Sequence, residues 1–418
     1  MIKYKSDFPS LYLVGLLLLM FLTSCGVTKT FPQDNKRYPE RYGEKQGYEY
    51  QEPGRYGGQR GHPQDMELRG HSFDDAKNIA ISAEYKIGIL VPLSGGAQKI
   101  GQSLLDAAQM AVMDNSQQKI ALVPYDTKST PQGASEAAGK AVTDGVDIII
   151  GPLFSNSVRQ IAPIAREANI PVIAFSNNKS VAGDGVYILG LMPNQQIKRL
   201  MDFANAEGIS RYAAILPNDI YGHEVAKLVQ AYSRDNSAQI IATEYYSSSK
   251  ANYEEVAAKV AEKLMNLSHN GRTGILIPEG GEKLERLSIA LNQNGVNLDN
   301  VKLLGTAYWD NRKTLSIPEL DNAYYVSVPY RGRNSFEDKF YSYYGYEPDN
   351  VASLGYEAVE LTINVAGQGF TPSALQDKMG YSGINGLYRL QADGVNERAY
   401  EVMEVRGGKI IVADPAKF

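Results

Sequence analysis

One cysteine in 418 residues rules out an internal disulfide, and four scattered histidines offer no paired spacing that suits a metal. Positive charge is not in excess either. The 42 Lys and Arg stand against 47 Asp and Glu, a net −5, so no surplus cation is available to neutralise phosphates and a nucleic-acid partner is not expected. The apolar run near the N-terminus, Leu11 to Leu22, is 12 residues long and falls short of the roughly 20 that a membrane-spanning helix requires. What remains is ordinary globular composition, 43% hydrophobic and 21% charged, with enough chain for two or three units at roughly 150 residues each.

The first 24 residues read as an export signal: Lys3 and Lys5, the apolar run, then Thr23 and Ser24 directly before Cys25. Leu22-Thr23-Ser24-Cys25 resembles a bacterial lipoprotein signal, in which the Cys becomes the acylated N-terminus of the mature chain. At about 0.8 kcal/mol per buried CH₂, several acyl chains would hold it on a membrane essentially permanently. Gly26 stands where an Asp would resemble inner-membrane retention, so the expected site is the periplasmic face of the outer membrane. Removing Lys3, Lys5 and Asp7 with the signal changes 42 and 47 to 40 and 46, a net −6.

Residues 25–83 are expected to be a disordered tether. From Pro32 to Asp65 there is no Ala, Val, Ile, Leu, Met, Phe or Trp, so the segment cannot bury enough to fold. As a coil, Gly26 to Ala83 would average about 40 to 45 Å end to end and stretch to about 200 Å.

From Glu84 onward, apolar runs alternate with helical segments, which argues for parallel α/β sheets. Ile87 to Val91 has no polar alternation, as expected of a strand covered on both faces. The unit recurs in two sets, predicting one lobe at 84–190 with part of about 330–380, and a second at 191–329 with part of about 381–418. Pro92, Pro124, Pro217 and Pro278 follow aliphatic runs and are expected to end their strands. Polar and glycine loops come after them, and in open α/β sheets ligands bind at such carboxyl ends, here in a cleft between lobes.

No catalytic set can be assembled from these loops, so an enzyme is not expected, nor a cofactor. Ser94-Gly95-Gly96 lacks the Gly-Lys-Ser/Thr ending of a phosphate loop. Ser176-Asn177-Asn178-Lys179 and Ser247-Ser248-Ser249-Lys250 match Ser-x-x-Lys without the companion motifs of penicillin-recognising enzymes. Ser155 and Ser157 either cap a helix or, with its free N–H groups, hold an anion. Glu279 or Asp310 could orient a ligand amine or be plain solvated carboxylates.

The series Ile89-Leu90-Val91-Pro92-Leu93-Ser94-Gly95, Tyr125-Asp126-Thr127, Ile149-Ile150-Gly151-Pro152-Leu153-Phe154, Pro171 to Asn177, Tyr221-Gly222, Ile277 to Gly281 and Leu304 to Asp310 carries a resemblance over roughly residues 84 to 410. It resembles the type I periplasmic binding-protein fold of the branched-chain amino-acid receptors, and more closely the penicillin-binding protein activator lipoproteins. The resemblance implies that Ser155, Ser176 and Asn178 hold a ligand carboxylate and that Tyr221 closes over it, with Asn178 standing where a Thr is usual. It also implies an outer-membrane lipoprotein that activates a peptidoglycan synthase, the alternative being a solute-binding receptor of an importer for an amino acid or related small molecule. The candidate cleft residues are Ser94, Thr127, Ser155, Asn156, Ser176, Asn178, Tyr221, Glu279 and Trp309, and the candidate lipidation site is Cys25.

Overall fold

The computed structural model describes residues 84–115, 120–236, 238–247, 252–267, 271–310 and 314–418. The chain divides into Met1–Glu44 and Lys45–Phe418, and all described residues belong to the second unit. The signal segment, Cys25 and the tether lie outside the described residues.

The first sheet has five parallel strands: β1 (Tyr85–Val91), β2 (Ile120–Asp126), β3 (Ile148–Ile150), β4 (Val172–Ala174) and β5 (Val186–Ile188), in the order β2-β1-β3-β4-β5. Strand β1, paired on both sides by β2 and β3, shows why the sequence lacks polar alternation. Ile87, Ile89 and Val91 enter one core, with α1 (Gln98–Asp114) and the later helix α9 (Ala352–Val365). Leu90 enters the opposite core, made by α2 (Pro131–Thr143) and α3 (Ser155–Glu167). Period-two side chains with apolar cover on both faces give a continuous hydrophobic run.

The second sheet repeats the plan. It comprises β6 (Ile209–Pro217), β7 (Gln239–Tyr246), β8 (Arg272–Leu276), β9 (Val301–Gly305), β10 (Tyr324–Ser327), β14 (Tyr400–Arg406) and β15 (Lys409–Lys417), ordered β15-β14-β10-β9-β8-β6-β7. Ala213 and Ile215 of β6 face α6 (Tyr253–Met265) and α7 (Gly281–Gln293), while Tyr212, Ala214 and Leu216 face α4 (Pro193–Ala206) and α5 (Ile220–Asn236). The last two strands run antiparallel, a departure from the all-parallel reading that comes from the C-terminal return of the chain.

Between the sheets' contributions, α8 (Tyr330–Tyr344) and α9 return to the first lobe: Phe336 and Phe340 pack with Ala107 and Met110 of α1. α10 (Pro372–Leu375) leads to a small antiparallel sheet of β11 (Tyr381–Gly383), β12 (Gly386–Leu390) and β13 (Asn396–Arg398). Tyr388 and Leu390 of β12 join the first lobe's core.

One expectation about proline is corrected. Pro124 does not end its strand: β2 runs through it to Asp126. β2 is the edge of its sheet and Pro124 is exposed, so no neighbour needs the N–H that proline lacks.

The crossings between lobes are stitched by side chains. Asn396 Nδ2 donates to Ile188 O at 3.0 Å and Gly190 O at 2.9 Å, and Gln195 Nε2 donates to Asn396 O at 2.6 Å. Nearby, Arg398 makes a bidentate pair with Glu357, Nη1 to Oε1 at 3.0 Å and Nη2 to Oε2 at 2.5 Å, with both side chains wholly buried.

Candidate functional site

The site residues sit where the strands end. After β1 and β2, the loops at Leu93 and Thr127 interlock through Asp126. Its Oδ1 accepts from Leu93 N at 2.9 Å, Ser94 N at 3.2 Å and Lys128 N at 2.7 Å, while Oδ2 accepts from Ser94 Oγ at 2.6 Å. Burial works to raise this carboxyl's pKa, but the hydrogen bonds prevail and hold it below the usual range, so it stays ionised. Ser129 Oγ adds a bond to Ser94 O at 2.7 Å. Ser94 therefore spends its hydroxyl proton inside the loop, and Thr127, 2% exposed, is packed in the turn and not presented to solvent.

After β3 the chain bends through Gly151, whose φ of 89° and proximity to Leu90 O, 2.2 Å from where a Cβ would stand, admit only glycine. The bend delivers α3 N-terminus first to the sheet's carboxyl edge. Its N-cap is Phe154, with no side-chain cap, so the reading of Ser155 or Ser157 as a capping serine is corrected: Ser155 is the first helical residue and Ser157 is buried. The first-turn N–H groups have no helical partner and carry the positive end of the dipole.

Four of the expected residues converge here. Ser176, buried after β4, accepts from Asn178 N at 3.2 Å through Oγ. Asn178 Oδ1 accepts from Ser180 N at 3.0 Å, which closes an Asx turn. Arg159, absent from the sequence reading, ties this turn to the helix start: Nη2 donates to Ser180 Oγ at 3.1 Å and Nη1 to Asn156 Oδ1 at 2.6 Å. Its position one turn inside α3 gave no motif that could have found it.

On the second lobe, Asp219 Oδ1 accepts from Gly222 N at 2.9 Å at the start of α5, which presents Ile220, 91% exposed, and Tyr221. Tyr221 meets Tyr308 edge to face at 5.5 Å between centroids. Burial pushes the Tyr221 hydroxyl well above its ordinary pKa, and neighbouring Tyr308 and Glu279 add to this, so it stays a neutral donor. Glu279 accepts from the Tyr246 hydroxyl, from Lys283 Nζ at 3.1 Å and from Gly280 N at 3.2 Å. It is a bonded carboxylate, not a free one. Tyr246 and Lys283 were missed because no motif links residues on β7 and α7 to Glu279.

Trp309 is placed elsewhere than expected. It is 0% exposed in the second lobe's core, its Nε1 donates to Ile277 O at 2.9 Å, and its ring lies over Gly305, where a Cβ would stand 2.1 Å from Cδ2. Asp310, also buried, accepts from Ser327 Oγ at 2.7 Å. Neither lines a cleft, because the turn after β9 directs the indole inward where its apolar area is removed from water.

Comparison with known proteins places this geometry. The family model described as periplasmic binding protein matches residues 84–409. An uncharacterised protein of Rickettsia prowazekii is 23% identical over 78% of this chain and 87% of its own length. The Leu/Ile/Val-binding protein of Escherichia coli is 21% identical over 46% of this chain and 56% of its own length, so the match spans little more than half of that receptor. Among solved structures, a putative branched-chain amino acid ABC transporter protein from Rhodospirillum rubrum superposes with a TM-score of 0.68 at 15% identity, covering 78% of this chain and 99% of that one.

Proposed function

Since the chain belongs to the periplasmic binding protein family, we propose that it is a periplasmic solute-binding receptor that takes a small carboxylate-bearing molecule between its lobes. The observation that carries this is the uncapped start of α3 with Ser155 at its first position, held at the carboxyl edge of the first sheet. Free N–H groups and the helix dipole favour an anion there. Tyr221 and Tyr308 of the second lobe supply an aromatic corner for the rest of the solute. Binding to both faces would favour lobe closure over the open form.

Ser155, Asn156, Ser176, Asn178 and Tyr221 are the residues we assign to the ligand. Ser94 and Thr127 support loop shape, and Glu279 is assigned to orienting Tyr246 and Lys283. The receptor relatives favour this reading over regulation of a peptidoglycan synthase. Delivery to an importer follows as the role of such a receptor. Among the described residues no helix is long and apolar enough to cross a membrane, and anchoring through Cys25 on the outer membrane is part of the proposal.

A thermal-shift screen of amino acids and small organic acids tests it. A ligand at about 100 times its dissociation constant should add about 2.7 kcal/mol of stability. A flat screen across both series would sink the receptor reading.

A further inference from the structure

We infer that Arg159 is a specificity residue which selects a solute carrying a second anionic group, a small dianion such as a dicarboxylic acid, over a simple monocarboxylate. The inference rests on the receptor reading and on the first lobe's side of that site. Arg159 is exposed, yet its guanidinium is anchored at 2.6 Å to Asn156 Oδ1 and at 3.1 Å to Ser180 Oγ. Both partners are neutral. Among the described residues it makes no ion pair, whereas Arg166 of the same helix pairs with Asp184 at 3.0 Å.

The anchoring has a chemical consequence. A guanidinium has five N–H donors in a rigid fork, and two of them fix its orientation here. The others and the whole positive charge stay uncompensated, beside a turn that runs from Asn178 through Ser180. Neutral acceptors hold the fork without quenching its charge, which is the arrangement that serves carboxylate recognition. The carboxylate at Ser155 would already satisfy the start of α3, so a monoanion leaves this cation idle. A second carboxylate on the same solute fills the remaining donors. The other cations of this edge do not duplicate it: Lys128 is paired with Glu136 at 2.9 Å, while Lys99 in the first turn of α1 and Lys179 in the 3-10 turn Lys179–Val181 have, among the described residues, no hydrogen bond that fixes their ammonium groups.

The test uses the full chain and two matched series: glutarate and glutamate as dicarboxylates, butyrate and leucine as monocarboxylates. Isothermal titration should give dissociation constants about tenfold or more lower for the dicarboxylates, the scale of one charge-assisted bidentate contact. Arg159→Gln should bring the ratio of the two series to near one. Arg159→Lys, which keeps the charge and loses the fork, should restore part of it. Circular dichroism of each variant checks that the Asn156 and Ser180 staple is not simply lost with the fold. Monocarboxylates binding as tightly as dicarboxylates, or a ratio unmoved in Arg159→Gln, would overturn the assignment and leave the receptor standing. Silence from both series would overturn both.

Discussion

Replacing Trp309 with alanine separates a core residue from a ligand contact. The indole is wholly buried among Ile277, Leu303, Tyr325 and Met403. Truncating such a side chain costs about 3 to 5 kcal/mol through lost transfer energy and the cavity left behind. The Ile277 carbonyl, itself 0% exposed, also loses its donor, which adds about 1 kcal/mol. A loss of about 5 kcal/mol, with a urea slope of about 2.5 kcal/mol/M, moves the midpoint down by about 2 M. Trp309 is the single tryptophan of the chain, so its fluorescence reports the wild type and far-UV circular dichroism must follow the variant. Trp309→Phe keeps much of the buried area, gives up the N–H bond to Ile277 and should fall between the two. The reasoning is refuted if Trp309→Ala loses less than about 1 kcal/mol while solute binding disappears, because the indole would then be acting in the cleft.

Glu357→Gln leaves the Arg398 guanidinium buried without its counter-ion and should cost about 3 to 5 kcal/mol in denaturant unfolding; a loss near zero would mean water reaches the pair. Glu360 has a buried Oε2 with no partner among the described residues, and burial, with Glu357 and Asp114 nearby, raises its pKa from 4.5 to about 7. A carboxyl raised on folding binds its proton more tightly in the native chain, so stability is lost as pH climbs from 4.5 through about 7. Glu360→Gln should accordingly gain ~1 to 2 kcal/mol near pH 8 and little near pH 5, after allowance for solvent screening, and equal gains at both would contradict the assignment. Cys25→Ser should move the chain from the membrane pellet to the soluble fraction with its melting temperature unchanged, and continued sedimentation in high salt would show that acylation is not the anchor.

The layer plan was legible in the sequence because it depends on period alone. Runs such as Ile87 to Val91 and Tyr212 to Leu216 carry apolar residues to both faces, and only strands covered on both sides by helices can do so. The convergence of Ser155, Asn156, Ser176 and Asn178 was likewise readable, since they follow adjacent parallel strands and must emerge at one edge.

What a given polar or aromatic side chain does there was decided only in three dimensions. Ser94 and Asp126 are 32 residues apart, as are Trp309 and Ile277, and Tyr246 and Glu279 are 33 apart. Nothing local tells a free hydroxyl from one already bonded, or an indole facing a cleft from one seated over Gly305. The same holds for Pro124, harmless because its strand lies at an edge, and for Arg159, whose charge stays open because the fold sets two neutral acceptors around it. Periodicity fixes which faces are greasy; the pairing of individual donors and acceptors belongs to the packed chain, where loops distant in sequence compete for the same few atoms.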